Sequence, residues 1–90
     1  MTTTDFVKVE NFLSRLLASV EQVFNREELD EVQGFFDAGE YGLALETFAD
    51  IIVDEGKKIT RSDLDSIKNL ATLMAMDQEV FHQKLEGFLE

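Results

Sequence analysis

This 90-residue chain has no cysteine, no proline and no tryptophan, and it has only eight basic residues. Without cysteine it forms no disulfide and offers no thiolate for catalysis or metal binding. Without proline, no helix is interrupted by a residue that lacks a backbone N–H. The N-terminus lacks a basic stretch followed by an apolar one, and no apolar run approaches the roughly 18 residues of a membrane span. We therefore expect a cytoplasmic protein that makes no membrane contact.

The shortage of basic residues is concentrated in one part of the chain. Nineteen acidic residues give a formal net charge of −11. Ten of them lie between Glu27 and Glu55, where there is no Lys or Arg, and the remainder of the chain is almost neutral. Binding to phosphate backbones or to anionic lipid requires basic side chains. The sequence therefore argues against direct contact with nucleic acid or a membrane.

Apolar residues recur at spacings of three and four through most of the chain, which is the period of amphipathic helices. The first such segment extends from Phe6 to Phe24, and Thr4 or Asp5 offers an N-cap before it. There is no strand-like alternation, and the connections are short. We therefore predict an all-α fold, a compact bundle of four to five short antiparallel helices in a single domain over residues 1–90. Helices 1, 3 and 4 should form its centre.

Polar residues mark the starts of the later helices. Asn25 with Glu28, and Thr60 with Asp63, have the spacing of a capping box. Asp77 offers an N-cap for the last helix. These signals predict where the second, fourth and fifth helices begin.

Three glycines frame the third helix. Gly39 should end the helix before it, and Gly56 should end the third helix itself. Gly42 lies in its first turn, where glycine costs about 1 kcal/mol relative to alanine. That cost predicts close backbone packing against a neighbouring element.

The third helix, within residues 37–55, carries an apolar stripe on one side and carboxylates at four-residue intervals on the other. Those carboxylates belong to Glu46, Asp50 and Asp54. Like charges at this spacing destabilise a helix by roughly 0.2–0.5 kcal/mol per pair, and the segment contains no cation to relieve them. We therefore expect that Asp50→Lys or Asp54→Lys leaves the free energy of unfolding unchanged or raises it slightly.

Residues suited to catalysis or to ligand chemistry are scarce. The only histidine is His82, which lies on a helix beside polar residues. The carboxylates fall mainly on outward positions, where nothing separates their pKa values for acid–base work. We therefore predict a protein that is not an enzyme and that binds neither a cofactor nor a metal.

One short motif suggests an alternative. The sequence Leu64-Asp65-Ser66-Ile67 is similar to the Asp-Ser-Leu modification site of acyl carrier proteins, which are also small, acidic and helical. In that family the serine opens a helix after a long loop, whereas Ser66 lies inside the helix that Thr60 or Ser62 begins. Despite this difference in the position of the serine, an acyl-carrier-like protein is an alternative to the main interpretation.

A longer segment resembles a known family. GEYGLALETFADIIVDEGKKIT is similar to the signature of MafI-type immunity proteins, which are small bacterial antitoxins. The distinctive features are Gly39-Glu40-Tyr41 followed by Ala44-Leu45-Glu46, then an apolar stretch and an acidic turn, with Ile59 opening the next helix. The similarity extends from about Phe35 to Met76, which is roughly half of the chain.

The resemblance implies an immunity protein that neutralises a polymorphic toxin of the MafB or contact-dependent-inhibition kind. The toxin it implies is a nuclease, with an EndoU-like RNase as the expected activity. A nuclease must be basic to hold phosphates, so an acidic face suits it as a partner. We expect the immunity protein to be a monomer within the complex. The predicted toxin-binding residues are Glu31, Asp37, Glu40, Tyr41, Glu46, Asp50, Asp54 and Glu55. An acidic nucleic-acid mimic that regulates a DNA-binding protein would use the same face.

Overall fold

Five helices follow one another along residues 6–90, the part of the chain that the computed structural model describes. They are α1 (Phe6–Ser19), α2 (Arg26–Asp37), α3 (Tyr41–Glu55), α4 (Arg61–Leu73) and α5 (Gln78–Leu85), followed by a 3-10 turn, Glu86–Phe88. The predicted all-α bundle is confirmed. Thr4 and Asp5, the predicted N-caps of α1, lie outside the described residues. Within residues 6–90, no helix is both long and apolar enough to cross a membrane.

Side-chain caps fix three helix starts, as the sequence predicts. The Asn25 side chain accepts a hydrogen bond from the Glu28 N–H (2.9 Å), and the Glu28 carboxylate accepts one from the Asn25 N–H (2.8 Å). Thr60 and Asp63 form the same reciprocal pair at the start of α4. Asp77 accepts from the Glu79 N–H at the start of α5. Each cap satisfies backbone donors that the first turn of a helix leaves unpaired.

The first helix is shorter than its apolar period predicts. It ends at Ser19, and the chain turns before the N-cap of α2. The Ser19 hydroxyl donates to the Asp63 carboxylate (2.6 Å), which anchors this end of α1 to the start of α4. Val20 and Phe24 nevertheless remain buried in the turn, where the Phe24 N–H donates to the Val20 carbonyl. Their apolar character reports burial rather than continuation of the helix.

The centre of the bundle lies between α1, α3 and α4, as predicted. These three helices supply most of the buried apolar side chains: Val9, Leu13 and Leu16; Ala44, Leu45, Phe48, Ala49, Ile51 and Ile52; and Leu64, Ile67, Leu70 and Ala71. The Phe24 ring stacks on the Phe48 ring, with centroids 4.8 Å apart. The second helix packs against α3, and α5 packs against both α3 and α4.

The end of the chain returns to the loop between α3 and α4. The Ile59 N–H donates to the Phe88 carbonyl, and the Glu90 N–H donates to the Ile59 carbonyl, both at 2.9 Å. These bonds form an isolated β-bridge between Ile59 and Leu89, a pairing that the sequence pattern does not indicate.

Two of the three glycine predictions are confirmed and one is wrong. Gly39 and Gly56 adopt positive φ angles of 76° and 62°, as expected of residues that end helices. The prediction for Gly42 is wrong. A Cβ there would lie 3.8 Å from the Met76 sulfur, an ordinary contact distance, so no close backbone approach requires glycine. Gly34, inside α2, has no heavy atom within 4 Å of where a Cβ would lie.

Gly34→Ala should therefore stabilise the protein. The substitution removes backbone freedom from the unfolded chain and introduces no clash, so we expect the free energy of unfolding to rise by about 0.5–1 kcal/mol. Urea denaturation measures the change. Gly39→Ala is the matched control, and it should lower stability because its φ angle disfavours a Cβ. A loss of stability in Gly34→Ala would show that the position is packed.

Candidate protein-binding surface

The outward side of α3 forms a mixed acidic and apolar stripe. Leu43, Glu46, Asp50 and Asp54 are exposed and follow one another at intervals of three and four residues, with the half-buried Thr47 among them. Residues at these intervals lie on one face of a helix. The opposite face of α3 is fully occupied by the core, so this stripe necessarily faces outward.

A groove between α2 and α3 gathers five carboxylates. Its volume is about 350 Å³, and Thr47 and Ile51 contribute to its lining. The carboxylates that line it are those of Glu28, Glu31, Asp50, Asp54 and Glu55. Two helices thus bring together acids that are as many as 27 positions apart in the chain. Within residues 6–90, no group of histidine or acidic side chains is arranged to hold a metal ion.

A second groove runs along the other side of the stripe, between α3 and α5. It has a volume of about 440 Å³ and is lined by Leu43, Glu46 and Asp50 from α3 and by Val80 and Lys84 from α5, among others. The two grooves share Thr47 and Asp50. The stripe is therefore a ridge with a depression on each side, and within residues 6–90 only the depression toward α2 has no basic residue in its lining.

One acid of the stripe has a cation that the sequence pattern did not assign to it. The Lys84 ammonium, from α5, forms a salt bridge with the Asp50 carboxylate. The gain in stability expected from Asp50→Lys is therefore smaller than the relief of repulsion alone predicts, because the change also removes this exposed pair. Within residues 6–90, Glu46 and Asp54 have no ion-pair partner, and the expectation for Asp54 stands.

The inner edge of the acidic groove contains a more buried ion pair. Glu28 and Lys57 are 3.0 Å apart, and their side chains are only 12% and 18% exposed. Burial alone would raise the pKa of Glu28, but the Asn25 N–H and the Lys57 ammonium outweigh it and lower that pKa. Because the pKa of Glu28 is lower in the folded state, this carboxylate stabilises the fold at pH values above its unfolded-state pKa. The contribution is lost as the pH falls through the folded-state pKa. Glu28 thus has a structural role in addition to lining the groove.

Tyr41 belongs to a different part of the surface from the acidic stripe. It is half-buried between Phe6 and Phe36, with both ring centroids 5.5 Å from its own. Its hydroxyl donates to the Glu10 carboxylate at 2.9 Å. The hydrogen bond to Glu10, with some desolvation and the charge of Glu10, raises the pKa of Tyr41. The residue links α1 to α3 and does not line either groove beside the stripe.

The structure brings together most of the predicted binding residues. Glu31, Glu46, Asp50, Asp54 and Glu55 line the two grooves. Glu40 lines a third cleft together with Glu31. Asp37 and Tyr41 lie apart from these clefts, and the Asp37 carboxylate instead accepts a hydrogen bond from the Gln33 amide.

Two exposed apolar residues of the surface were missed by the sequence analysis. Leu43 is 44% exposed and Val80 is 57% exposed, and both line the groove between α3 and α5. Leu43 falls outside the inward stripe of its helix, so its apolar character on an outward position was a readable signal. Val80 lies on α5, and its proximity to α3 depends on how the helices pack.

The remaining singled-out residues lie elsewhere. His82 contacts Glu86 through Nε2 (3.1 Å) and Lys68 through Nδ1 (3.2 Å), so both ring nitrogens have polar partners. Ser66 is half-buried in the second turn of α4 and does not open that helix.

Comparison with known protein families, with curated proteins and with solved structures found no match to this chain. The resemblance of residues 35–76 to MafI-type immunity proteins therefore stays a prediction.

Charge reversal should have unequal consequences at two acids of the stripe that lie four residues apart. Asp54→Lys should leave the free energy of unfolding unchanged or raise it by a few tenths of a kcal/mol, because it relieves repulsion with Asp50 and favours the helix dipole. Asp50→Lys should raise it less or not at all, because the loss of the exposed pair with Lys84 offsets the relief of repulsion with Glu46 and Asp54. Adding Lys84→Asp to Asp50→Lys should recover part of that loss. Urea denaturation of the four proteins tests this, and equal effects of the two single changes would contradict it.

The Tyr41–Glu10 hydrogen bond can be measured by titration. Tyr41 is the only tyrosine and there is no tryptophan, so tyrosinate absorbance reports this one group. Glu10→Gln should lower the pKa of Tyr41 toward its ordinary value, because the carboxylate that stabilises the neutral phenol is removed. Glu40→Gln, one position from Tyr41, is the matched control and should shift the titration less. Equal shifts would mean that general negative charge, not this bond, raises the pKa.

Proposed function

We propose that this chain is an immunity protein that binds a basic nuclease toxin in the cytoplasm and inactivates it. The observation that carries the proposal is the groove lined by five carboxylates beside α3, in a chain whose acidic excess falls almost entirely within residues 27–55. Only one of those five has a well-shielded cation, Lys57 on Glu28, and one has an exposed cation, Lys84 on Asp50. The surface thus keeps a negative potential available to a partner.

A nuclease offers the complementary surface. Its substrate cleft must present Lys and Arg to bind phosphates, and those side chains are accessible when no nucleic acid is bound. An acidic ridge seated over such a cleft would exclude the substrate and would also suppress association with acidic proteins. The immunity protein needs no catalytic group, cofactor or metal for this, because occupying the cleft is sufficient.

Exposed apolar residues within the acidic surface favour a protein partner over a small cation. Leu43 and Val80 are exposed beside Glu46 and Asp50. Protein interfaces commonly combine a few desolvated apolar anchors with a polar rim, and the anchors provide most of the binding energy. The charges would then guide association while Leu43 and Val80 hold the complex.

The resemblance to MafI-type proteins supports a narrower version of the proposal. It points to a toxin of the MafB or contact-dependent-inhibition kind with EndoU-like RNase activity, bound by one copy of the immunity protein. The direct test is to express a nuclease toxin domain encoded by a neighbouring gene, with and without this chain, and to measure growth and RNA cleavage. Protection on both measures supports the proposal. If a phosphopantetheinyl transferase instead adds a prosthetic arm to Ser66, the acyl-carrier alternative replaces it.

The acidic stripe should set the rate of association. The triple variant Glu46→Lys, Asp50→Lys, Asp54→Lys should associate with the toxin domain at least tenfold more slowly at low salt, because electrostatic steering is lost. Its rate should also depend less on salt, since exposed charges are screened beyond roughly 8 Å at about 0.15 M ionic strength. Stopped-flow fluorescence over a range of salt concentrations measures both effects.

The control triple reverses Glu21, Asp65 and Glu90, which are exposed and line neither groove beside the stripe. It has the same change in net charge and should slow association much less. Glu10 and Glu86 are unsuitable controls because they bind Tyr41 and His82. If both triples slowed association equally, net charge alone would govern the encounter and the assignment of the surface would be wrong.

A further inference from the structure

A third cleft lies between α2 and the start of α3 and differs from the acidic groove in its lining. Its volume is about 550 Å³, and we call it the Gly34 cleft. The apolar part of its lining is Gly34, Phe35, Ala38 and Leu43, and the acidic part is Asp30, Glu31 and Glu40. It is therefore an apolar depression bordered by carboxylates.

The glycine at this position has no structural explanation within the fold. Gly34 lies inside α2, where glycine is less favourable than alanine, and a Cβ there would meet no atom within 4 Å. By contrast, Gly39 and Gly56 are explained by their positive φ angles. Without a side chain at position 34 the cleft stays open, and the Phe35 ring and the exposed Leu43 side chain remain accessible beside it.

The carboxylates around the cleft define what can occupy it. Asp30 is paired with Arg26 by an exposed contact of 3.6 Å, whereas Glu31 and Glu40 have no ion-pair partner within residues 6–90. Glu31 also lines the acidic groove, so the cleft continues the negative surface. A second copy of this chain would bring a like-charged surface, and an anionic lipid would be repelled.

We propose that the Gly34 cleft receives one apolar side chain that projects from a basic segment of the partner protein. Lysine or arginine residues on either side of that side chain would meet Glu31 and Glu40, while Phe35 and Leu43 would contact the apolar group. This inference rests on the proposed function for the identity of the partner, and it adds the chemistry of the segment that is recognised.

The test uses the full protein labelled with ¹⁵N and three short capped peptides. The first has a single Phe flanked by glycines and lysines, the second replaces that Phe with Gly, and the third keeps the Phe but replaces the lysines with glutamates. The first peptide should bind at least tenfold more tightly than either of the others, because only it supplies both the apolar group and the charge. The changes in the protein's amide chemical shifts that this peptide causes should be concentrated in residues 30–43. Equal binding of the first and second peptides, or of the first and third, would overturn the proposal.

Two variants locate the binding. Gly34→Leu fills the cleft and should abolish the advantage of the first peptide over the second while leaving the weak, charge-dependent binding of the second unchanged. Gly87→Leu, at another site where a Cβ meets no atom within 4 Å, should retain the full advantage. Leu43→Asn, at an exposed position, removes one wall and should reduce the advantage even if Gly34→Leu does not fold. An advantage that persists undiminished in Leu43→Asn and in folded Gly34→Leu would place the apolar contact elsewhere and overturn the proposal.

The same variants separate this inference from the proposed function. If the neighbouring toxin does not bind but the first peptide binds in the cleft, the proposed function fails and the cleft assignment holds. If the toxin binds and Gly34→Leu binds it equally well, the cleft assignment fails and the proposed function holds. Sedimentation equilibrium provides a further check, because a dimer that Gly34→Leu dissociates would assign the cleft to a second copy of this chain and overturn the proposal.

Discussion

Burial of one side of α3 is the constraint on which the rest of the structure depends. Six of its side chains are buried, and Phe48, with no exposed surface, stacks on Phe24 from the turn after α1. Burying side chains of this size contributes roughly 1.5–3 kcal/mol each, far more than any surface charge on the same helix. Once the core fixes the rotation of α3, Glu46, Asp50 and Asp54 have no orientation available except outward. The acidic stripe is thus held in position by apolar packing and not by its own interactions.

Such a surface is tolerable because the electrostatic penalties are small beside the core. Repulsion between exposed carboxylates at i and i+4 amounts to tenths of a kcal/mol, and Lys84 relieves it at Asp50. The more buried acid, Glu28, is treated differently, since both a backbone N–H and Lys57 stabilise its charge. The fold therefore pairs the carboxylate that desolvation would penalise, Glu28, with a cation, and within residues 6–90 it leaves most of the exposed carboxylates of this surface unpaired. That division is the physical basis for regarding the surface as a binding face.

Much of the fold could be predicted from the sequence because its signals are local. Asn25 with Glu28 and Thr60 with Asp63 act within a single turn, and the apolar period identifies the buried side of each helix. Val20 and Phe24 misled the prediction of where α1 ends, since burial in a turn and burial in a helix leave the same pattern. The salt bridge of Asp50 with Lys84 and the bond from Tyr41 to Glu10 join residues 34 and 31 positions apart, so they depend on helix packing that no local pattern encodes. The exposure of Leu43 could have been predicted from its outward position on α3. That it lines the same cleft as Gly34 and Phe35 depends on the packing of α2 against α3 and could not.

We propose that the outward side of α3, with the adjoining part of α2, is the surface that meets a basic nuclease. A direct test is to map the contact by recording the amide spectrum of the ¹⁵N-labelled protein with the unlabelled nuclease domain that the proposed function assigns as its partner. The largest shifts and line broadening should fall within residues 28–35 and 40–55, and the signals of α4 should change little. Perturbation concentrated instead on α4, or around Phe6 and Glu10 on α1, would show that another surface binds the toxin and would contradict the account.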